Sequence, residues 1–444
     1  MCPRVPVNSS RRTFLRAGLG AAFVPGLVQG DSDAIRWEEP FDPWVGTPTV
    51  VGDRVYTNAW FGDTLLTVLD RHTGERHAAV TIDGVVNTTA VTTVVDGTAY
   101  VGGYRSDHAV LLAFDTQSLD ERWRHELPTD RVFARIVVAD GRAYHAAGDL
   151  AAVDVVTGER AWVSTAVSIE QSAPVVTPSA VYVIGADDVL YGLDRTYGSV
   201  VWRRAVGDVL AHNAPTFGYG RLYVGTTTGQ LIAVDATDGT VEWTAETGYG
   251  MMASPLVGNG VVIVSSQQGH VYCFDAASGD RRWRMERFDP VRAYLPTIVG
   301  GAVCMFSGDP DAAAYLVDLD SGSREHLVTL EGSPLGMAPI VVDGVVYVPV
   351  LRGDGRSDLS GALYAIDLPI DGSSDEARVH LGTYGHHDSW TGDTGAGVDR
   401  LGEDGPLGVA TGSTIAASGI LGAGYLAWKH RRHVGGTVTG PDRE

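Results

Sequence analysis

Residues 152–162 read AVDVVTGERAW, and residues 233–243 read AVDATDGTVEW. In both segments an Asp is followed four positions later by Gly and eight positions later by Trp. A shared spacing of this kind indicates an internal repeat, which has to be recognised before single strands are assigned. The repeated unit, rather than any one strand, therefore decides the fold class.

The repeated Asp occurs eight times, at intervals of 39 to 49 residues. Its positions are Asp70, Asp115, Asp154, Asp194, Asp235, Asp275, Asp318 and Asp367. The Gly follows at Gly74, Gly158, Gly198, Gly239, Gly279 and Gly322. The Trp follows at Trp123, Trp162, Trp202, Trp243 and Trp283. The first, seventh and eighth units lack this Trp, and the second and eighth lack this Gly.

Each repeated residue type has a physical reason for its place. Gly permits the left-handed backbone that a short hairpin turn needs, and Asp before the turn can bond nearby backbone N–H groups. Trp offers a large flat surface for packing one unit against the next. Segments such as residues 181–184 (VYVI) and 261–264 (VVIV) read as buried strands.

A unit of about 40 residues gives four short strands, which cannot bury both faces of their sheet alone. Stacking the units around an axis buries both faces and protects the strand edges. We therefore predict an all-β, eight-bladed β-propeller of four-stranded antiparallel blades over residues 34–382.

The spacing resembles the PQQ-type propeller repeat, Ala-x-Asp-x-x-Thr-Gly-x-x-x-Trp, over roughly residues 46–382. The chain is similar to this PQQ-like (quinoprotein and BamB-type) family, in the form of an exported haloarchaeal-type member. The same repeat occurs in quinoprotein alcohol dehydrogenases and in the outer-membrane assembly lipoprotein BamB. The resemblance thus implies either a redox enzyme or a binding scaffold.

Closure of the ring can be predicted from an isolated outer-strand pattern near the start of the domain. Residues 36–39 (RWEE) have no unit before them, and they would complete the blade begun by residues 336–367. Residues 377–381 are the competing strand, and seven blades are the alternative count. Closure matters because an open ring leaves a strand edge that pairs with other chains.

Both ends of the chain carry targeting patterns. Arg11 and Arg12 precede a short apolar stretch, which predicts a twin-arginine-type signal peptide over residues 1–30. Residues 407–428 have no charged side chain and predict a transmembrane helix. Basic residues follow at once, so residues 429–444 are expected in the cytoplasm. Residues 383–406 read as a Gly- and Asp-rich stalk.

The charge of the chain is strongly negative. The formal net charge is −21, and Lys429 is the single lysine. Such a charge repels phosphate backbones, so a nucleic-acid partner is not expected. An acidic, lysine-poor surface is typical of halophilic proteins, in which salt screens the self-repulsion.

Catalysis finds little support in the sequence. The resemblance implies that a quinoprotein enzyme would hold PQQ with calcium in the central channel above an adjacent Cys pair. The three cysteines, Cys2, Cys273 and Cys304, are not adjacent, and no haem-attachment Cys-x-x-Cys-His occurs. We assign no catalytic residue, no metal ligand and no cofactor, and PQQ with calcium stays the alternative.

A non-catalytic scaffold at the cell surface is therefore the predicted function, with the propeller outside the cell membrane. Segments that open the inner strands would line the axial face, and they carry soft or polar side chains suited to protein partners. These candidates are His212, Met251, Met252 and Met337. The alternative is an enzyme or sensor that binds a small redox ligand in the channel.

Overall fold

The computed structural model describes residues 34–42, 44–59, 62–87, 91–105, 108–127, 136–170, 172–210, 213–250, 254–266, 268–285, 296–308, 312–333, 339–352 and 360–371. These residues form 32 strands in eight separate antiparallel sheets, which are the blades. The part of the chain so described has no helix long and apolar enough to cross a membrane. The predicted signal with Arg11 and Arg12, stalk, anchor and tail lie outside the described residues.

The strands follow one another in chain order, blade after blade. β1 (Ile35–Phe41) comes first, and blade 1 holds β2 (Thr49–Val51), β3 (Arg54–Thr57), β4 (Thr64–Asp70) and β5 (Arg76–Thr81). Blade 2 holds β6 (Val85–Asn87), β7 (Thr93–Val95), β8 (Thr98–Arg105), β9 (His108–Asp115) and β10 (Glu121–Leu127). Blade 3 holds β11 (Ile136–Ala139), β12 (Arg142–Asp154) and β13 (Arg160–Ile169). Blade 4 holds β14 (Val175–Val176), β15 (Ala180–Ile184), β16 (Val189–Asp194) and β17 (Val200–Ala205).

The second half of the ring repeats the same order. Blade 5 holds β18 (Thr216–Gly218), β19 (Arg221–Gly225), β20 (Gln230–Asp235) and β21 (Val241–Glu246). Blade 6 holds β22 (Leu256–Gly258), β23 (Val261–Ser265), β24 (Val271–Asp275) and β25 (Arg281–Met285). Blade 7 holds β26 (Thr297–Val299), β27 (Ala302–Gly308), β28 (Ala312–Asp318) and β29 (Arg324–Leu330). Blade 8 holds β30 (Ile340–Val342), β31 (Val345–Arg352), β32 (Ser360–Asp367) and, from the start of the chain, β1.

The four strands of a blade are here called A to D, with A innermost. The A strands of successive blades contact each other, as β22 does with β18 and with β26, which places them around a common axis. Two blades vary the plan. Blade 2 splits its A strand into β6 and β7, and blade 3 joins strands B and C into β12 through Gly148, whose φ is +92°.

Ring closure occurs as predicted. β1 pairs antiparallel with β32, with Trp37 opposite Ala365 and Glu39 opposite Leu363. The last blade thus takes three strands from the end of the domain and its D strand from the beginning. The eight-blade prediction is confirmed, and the seven-blade alternative is wrong. The competing strand at residues 377–381 lies outside the described residues.

The core lies between neighbouring blades. One apolar cluster joins blades 3 and 4 and includes Leu150, Trp162, Val181 and Leu193, of which Leu150, Val181 and Leu193 are fully buried. Burying one such aliphatic side chain stabilises the fold by about 1.5–3 kcal/mol. The D strands are exposed on alternate residues, as in β17, because no further strand covers them.

The two ends of every blade differ in their connections. Because the strands are antiparallel, the A–B and C–D turns lie at one end, here called the turn face. The B–C and D–A connections lie at the other end, here called the loop face. The repeated Asp and Gly residues lie in the C–D turns, and hence on the turn face.

Candidate interaction surfaces

The C–D turn is held by its Asp. In blade 3 the Oδ1 atom of Asp154 accepts hydrogen bonds from the N–H groups of Val156 and Thr157, both at 2.9 Å. The N–H of Gly158 donates to the Asp154 carbonyl oxygen at 2.9 Å, and the φ of Gly158 is +73°. The Thr157 and Val156 N–H groups lower the pKa of Asp154 because they stabilise its charged form.

The repeated Trp belongs to one blade and docks on the turn of the next. The Trp123 indole N–H donates to the carbonyl oxygen of Val155 at 2.7 Å. Its ring lies so close to Gly158 that a Cβ atom there would be 2.8 Å from Trp123 Cδ2. The same indole bond occurs at Trp37, Trp162, Trp202, Trp243 and Trp283. Gly is therefore needed twice, for its backbone angle and for its missing side chain.

Hydroxyl groups tie the inner strands together around the axis. Thr49 Oγ1 donates to the Thr92 carbonyl at 2.5 Å, and Thr93 Oγ1 donates to the Ile136 carbonyl at 2.7 Å. Thr216 Oγ1 likewise donates to the Pro255 carbonyl at 2.6 Å. Each bond joins one blade to the next, so these buried hydroxyls serve the ring itself.

The described inner strands fit PQQ with calcium poorly. They contain Val, Ile, Leu, Ala, Phe, Thr, Gly and Asn, but no carboxylate and no basic side chain. Calcium takes oxygen ligands that usually include carboxylates. No group of three His, Cys, Asp or Glu side chains that could hold a metal ion occurs within the described ranges. We derive no reaction step through such a cofactor.

The two described cysteines are free and buried in different blades. Cys273 lies in β24 and Cys304 in β27. Burial raises the pKa of each thiol to about 12. Both thiols therefore stay protonated at neutral pH and act as small apolar side chains.

The loop face bears a stacked aromatic pair. Tyr249 follows the D strand of blade 5, and His270 lies in the B–C connection of blade 6. Their rings stack with centroids 5.2 Å apart and planes 7° apart, and Tyr249 is 37% exposed. The predicted axial-face residues His212, Met251, Met252 and Met337 lie outside the described residues, so that patch stays a prediction.

Exposed apolar side chains occur on two neighbouring C–D hairpins. Val156 of blade 3 is 82% exposed, and Tyr197 and Val201 of blade 4 are 76% and 64% exposed. Tyr197 and Val156 lie in the turns, and Val201 lies in the adjoining D strand β17. Aromatic and aliphatic groups exposed in this way are typical of surfaces that bind other proteins.

Sequence reasoning missed two arginines that link blades. Arg71 bonds Tyr347 and Asp343 of blade 8, and Arg195 bonds Tyr144 and Asp140 of blade 3. Each follows a repeated Asp directly, and a comparison of the residue after the Asp in all units would have found them.

The comparisons with known proteins agree with this geometry. The chain is 31% identical over 168 residues to outer membrane protein assembly factor BamB of Burkholderia pseudomallei, covering 38% of this chain and 42% of that protein. It is 28% identical over 136 residues to quinohemoprotein alcohol dehydrogenase ADH-IIG of Pseudomonas putida, covering 26% of this chain and 19% of that protein. The crystal structure of BamB from Moraxella catarrhalis matches with a TM-score of 0.57 at 19% identity, over 74% of this chain and 98% of that chain.

The chain spans less than half the length of the first curated relatives that it matches. The family model described as outer membrane protein assembly factor BamB matches residues 5–202 and 186–353. Together with the closed ring of Asp–Gly–Trp repeats, this match shows that the chain belongs to the PQQ-like, BamB-type β-propeller family.

Proposed function

We propose that this chain is a non-catalytic interaction scaffold, tethered to the cell membrane and presenting its propeller to protein partners outside the membrane. The export pattern at residues 1–30 and the uncharged run at residues 407–428 support this placement. Relatives described as outer membrane protein assembly factors support a protein partner. The net charge of −21 argues against a nucleic-acid partner.

One observation carries the proposal. Val156, Tyr197 and Val201 are exposed on adjacent hairpins of the ring. Inner hydroxyls such as those of Thr93 and Thr216 instead bond to the backbone of the next blade. In such a ring, polar inner groups are used for hydrogen bonds between blades, and apolar side chains are exposed on the outer turns. This arrangement is suited to binding proteins rather than to converting small molecules.

Site-specific photocrosslinking tests this surface. A photoreactive residue replaces Tyr197, and in a matched control it replaces Asp238, which has the same position in the C–D turn of blade 5. We expect membranes at native salt to give a discrete protein adduct from position 197, which Val201→Asp weakens. Equal labelling from both positions contradicts the proposal.

The quinoprotein alternative is favoured by the similarity to quinohemoprotein alcohol dehydrogenase over 136 residues. It is tested by titrating the purified chain with PQQ and calcium and following the quinone absorbance. Saturable binding accompanied by dye-linked alcohol oxidation would replace the scaffold by a redox enzyme. Our proposal expects neither.

A further inference from the structure

Three A–B turns share one local design. Residues 94–101 read VVDGTAYV, residues 341–348 read VVDGVVYV, and residues 138–145 read VADGRAYH. In each, an Asp with a positive φ (+47°, +43° or +47°) precedes Gly, and a Tyr follows four positions after the Asp. These pairs are Asp96 with Tyr100, Asp140 with Tyr144, and Asp343 with Tyr347.

In two of the three cases an arginine from the next blade fills the cleft beside the turn. Arg71 Nε donates to the Tyr347 hydroxyl at 3.2 Å, and its Nη2 pairs with Asp343 Oδ2 at 2.5 Å. The Arg71 side chain keeps only 12% of its surface exposed. The cleft thus receives a guanidinium with one carboxylate and one phenol hydroxyl.

The second filled cleft repeats these contacts. Arg195 Nε donates to the Tyr144 hydroxyl at 3.0 Å, and its Nη2 pairs with Asp140. Its Nη1 donates to the carbonyl oxygens of Thr177 and Pro178, both at 3.2 Å, and its side chain is again 12% exposed. Two arginines from different blades therefore bind the same Asp and Tyr pair of an A–B turn in the same way.

The third cleft, between blades 2 and 3, has the Asp and Tyr pair but no arginine after the repeated Asp of the next blade. The residue after Asp154 is Val155, where the other two blades have arginine. A cavity of about 340 Å³ remains there, and its lining includes Asp96, Tyr100, Arg122, Asp140, Val155 and Val156. This volume lies within the range of small-ligand sites, about 300–1,000 Å³.

The charges in this cavity leave one carboxylate uncompensated. Arg122 Nη2 pairs with Asp115 at 2.6 Å, and Asp140 pairs with Arg195. Asp96 has no ion pair within the described part of the chain. The cavity can therefore take one additional positively charged group, which would pair with Asp96.

The Tyr100 hydroxyl, beside Asp96, can accept a hydrogen bond from an N–H donor. Burial raises the pKa of Tyr100 to about 12, so its hydroxyl stays neutral. Tyr144 and Tyr347 accept their guanidinium N–H bonds through the same hydroxyl.

We propose that the cleft between blades 2 and 3 binds the arginine side chain of a protein partner, in the position that Arg71 and Arg195 occupy in the sister clefts. This rests on the proposed scaffold function and names one residue type that its partner presents. Val156, at 82% exposure on the cavity wall, offers an apolar contact to the chain around that arginine. A planar guanidinium suits the carboxylate and hydroxyl better than a compact ammonium.

The first test uses N-acetyl-L-arginine methylamide as the probe and the corresponding lysine derivative as its comparison. Calorimetry or NMR titration on the folded chain, at the salt concentration that it requires, should show saturable binding of one arginine probe. We expect the lysine probe to bind at least about tenfold more weakly, because it lacks the fork of donors.

Three variants locate the binding. Asp96→Asn should weaken the arginine probe by about tenfold or more, since a charge-assisted hydrogen bond is lost. Val155→Arg should abolish probe binding and raise the melting temperature, because the chain then fills its own cleft. Asp149→Asn removes a carboxylate from the loop face of blade 3, away from the cleft, and should leave probe binding unchanged.

The proposal is overturned if neither probe saturates, if both probes bind equally, or if Val155→Arg stabilises the fold while probe binding persists. These outcomes are separate from the crosslink at position 197, which does not require the cleft. If the arginine probe does not bind but the crosslink at position 197 still forms, the scaffold function stands and only the arginine site is disproved.

Discussion

The indole N–H of Trp37 donates to the carbonyl oxygen of Arg71 at 2.9 Å, across the junction where the two ends of the propeller meet. The same ring lies on Gly74, and its centroid is 5.8 Å from that of Tyr347. Trp37 therefore does for blade 8 what the repeated Trp does for the blades inside the chain. The ring is closed by the contact that joins its other blades, and β1 supplies it.

Replacing Trp37 by Ala should destabilise the propeller by about 3–5 kcal/mol, as removal of a large buried aromatic does. The loss combines apolar burial, the indole hydrogen bond and the seal between blades 8 and 1. Denaturant unfolding at a fixed salt concentration measures the change in the free energy of unfolding.

The control for this change is Val201→Ser, at a side chain that is 64% exposed. Exposed substitutions usually alter stability by no more than about 0.5 kcal/mol. A Trp37→Ala variant as stable as this control would show that β1 does not close the ring in solution.

Gly158 and Gly141 form a matched pair within blade 3. Their φ angles are +73° and +71°, so the backbone strain that Ala introduces should destabilise the fold equally at the two positions. A Cβ at Gly158 would lie 2.8 Å from the Trp123 ring, whereas at Gly141 it would meet nothing within 4 Å. Gly158→Ala should therefore destabilise the chain more than Gly141→Ala, by roughly 1–3 kcal/mol as overpacking does.

A double variant separates the two causes. If the ring is the obstacle, the cost of Gly158→Ala should shrink when Trp123 is replaced by Ala, giving a coupling that a double-mutant cycle measures. Strict additivity of the two changes would mean that the indole does not press on Gly158.

The missing residues of the repeat could be counted in the sequence but not explained by it. Trp of one unit packs on Gly of the next, so each absence has a partner. The first unit has Ala78 in place of Trp, and the second has Leu119 in place of Gly. Leu119 keeps a φ of +62° and packs on the apolar cluster shared by blades 1 and 2.

The same rule accounts for the other end of the repeat. The seventh unit has His326 in place of Trp, and the eighth has Asp371 in place of Gly. Gly74 of the first unit finds its Trp in Trp37. Sequence spacing could predict blade number and closure because those signals are local, whereas the partner of each Trp lies in the neighbouring unit and needs the folded ring.

The candidate cleft was beyond sequence reasoning for a different reason. Asp96, Tyr100 and Val155 match no catalytic, metal-binding or ligand-binding motif in the sequence. They become informative only when Arg71 and Arg195 are seen filling the equivalent clefts.

His145 should make stability depend on pH in a window that begins above the pH at which carboxylates titrate. It lies in β12 with 1% of its surface exposed, and burial lowers its pKa to about 3, with nearby His125 adding to the effect. In the unfolded chain a His titrates near about 6.5, so the unfolded state binds more protons between these values. Stability should fall as the pH drops from about 6.5 to about 3, by at most about 1.4 kcal/mol per pH unit for this one group.

Comparing wild type with His145→Phe isolates this contribution. The variant should show a shallower decline of the melting temperature over that window, since it has one fewer proton to take up on unfolding. Parallel curves for the two proteins would mean that His145 is not held neutral in the fold.

The Asp caps should govern a second, more acidic window. Backbone N–H groups hold the pKa of Asp154 below its ordinary value, as the Arg122 guanidinium and backbone N–H groups do for Asp115. A carboxyl whose pKa is lowered by folding stabilises the fold above its unfolded value, about 3.9, and loses that contribution as the pH falls toward the folded value. Asp154→Asn keeps a carbonyl acceptor without a titrating group, so its melting temperature should fall less steeply below about pH 4.

Asp154→Ala removes the acceptor altogether and serves as the comparison at every pH. It should melt lower than Asp154→Asn at neutral pH, because the Val156 and Thr157 N–H groups then lose their partner. If the Asn and Ala variants melt alike while wild type keeps its steep acid limb, the charge of Asp154, rather than its oxygen as an acceptor, holds the turn. If all three follow the same curve, the turn is held by Gly158 and the docked Trp123 alone.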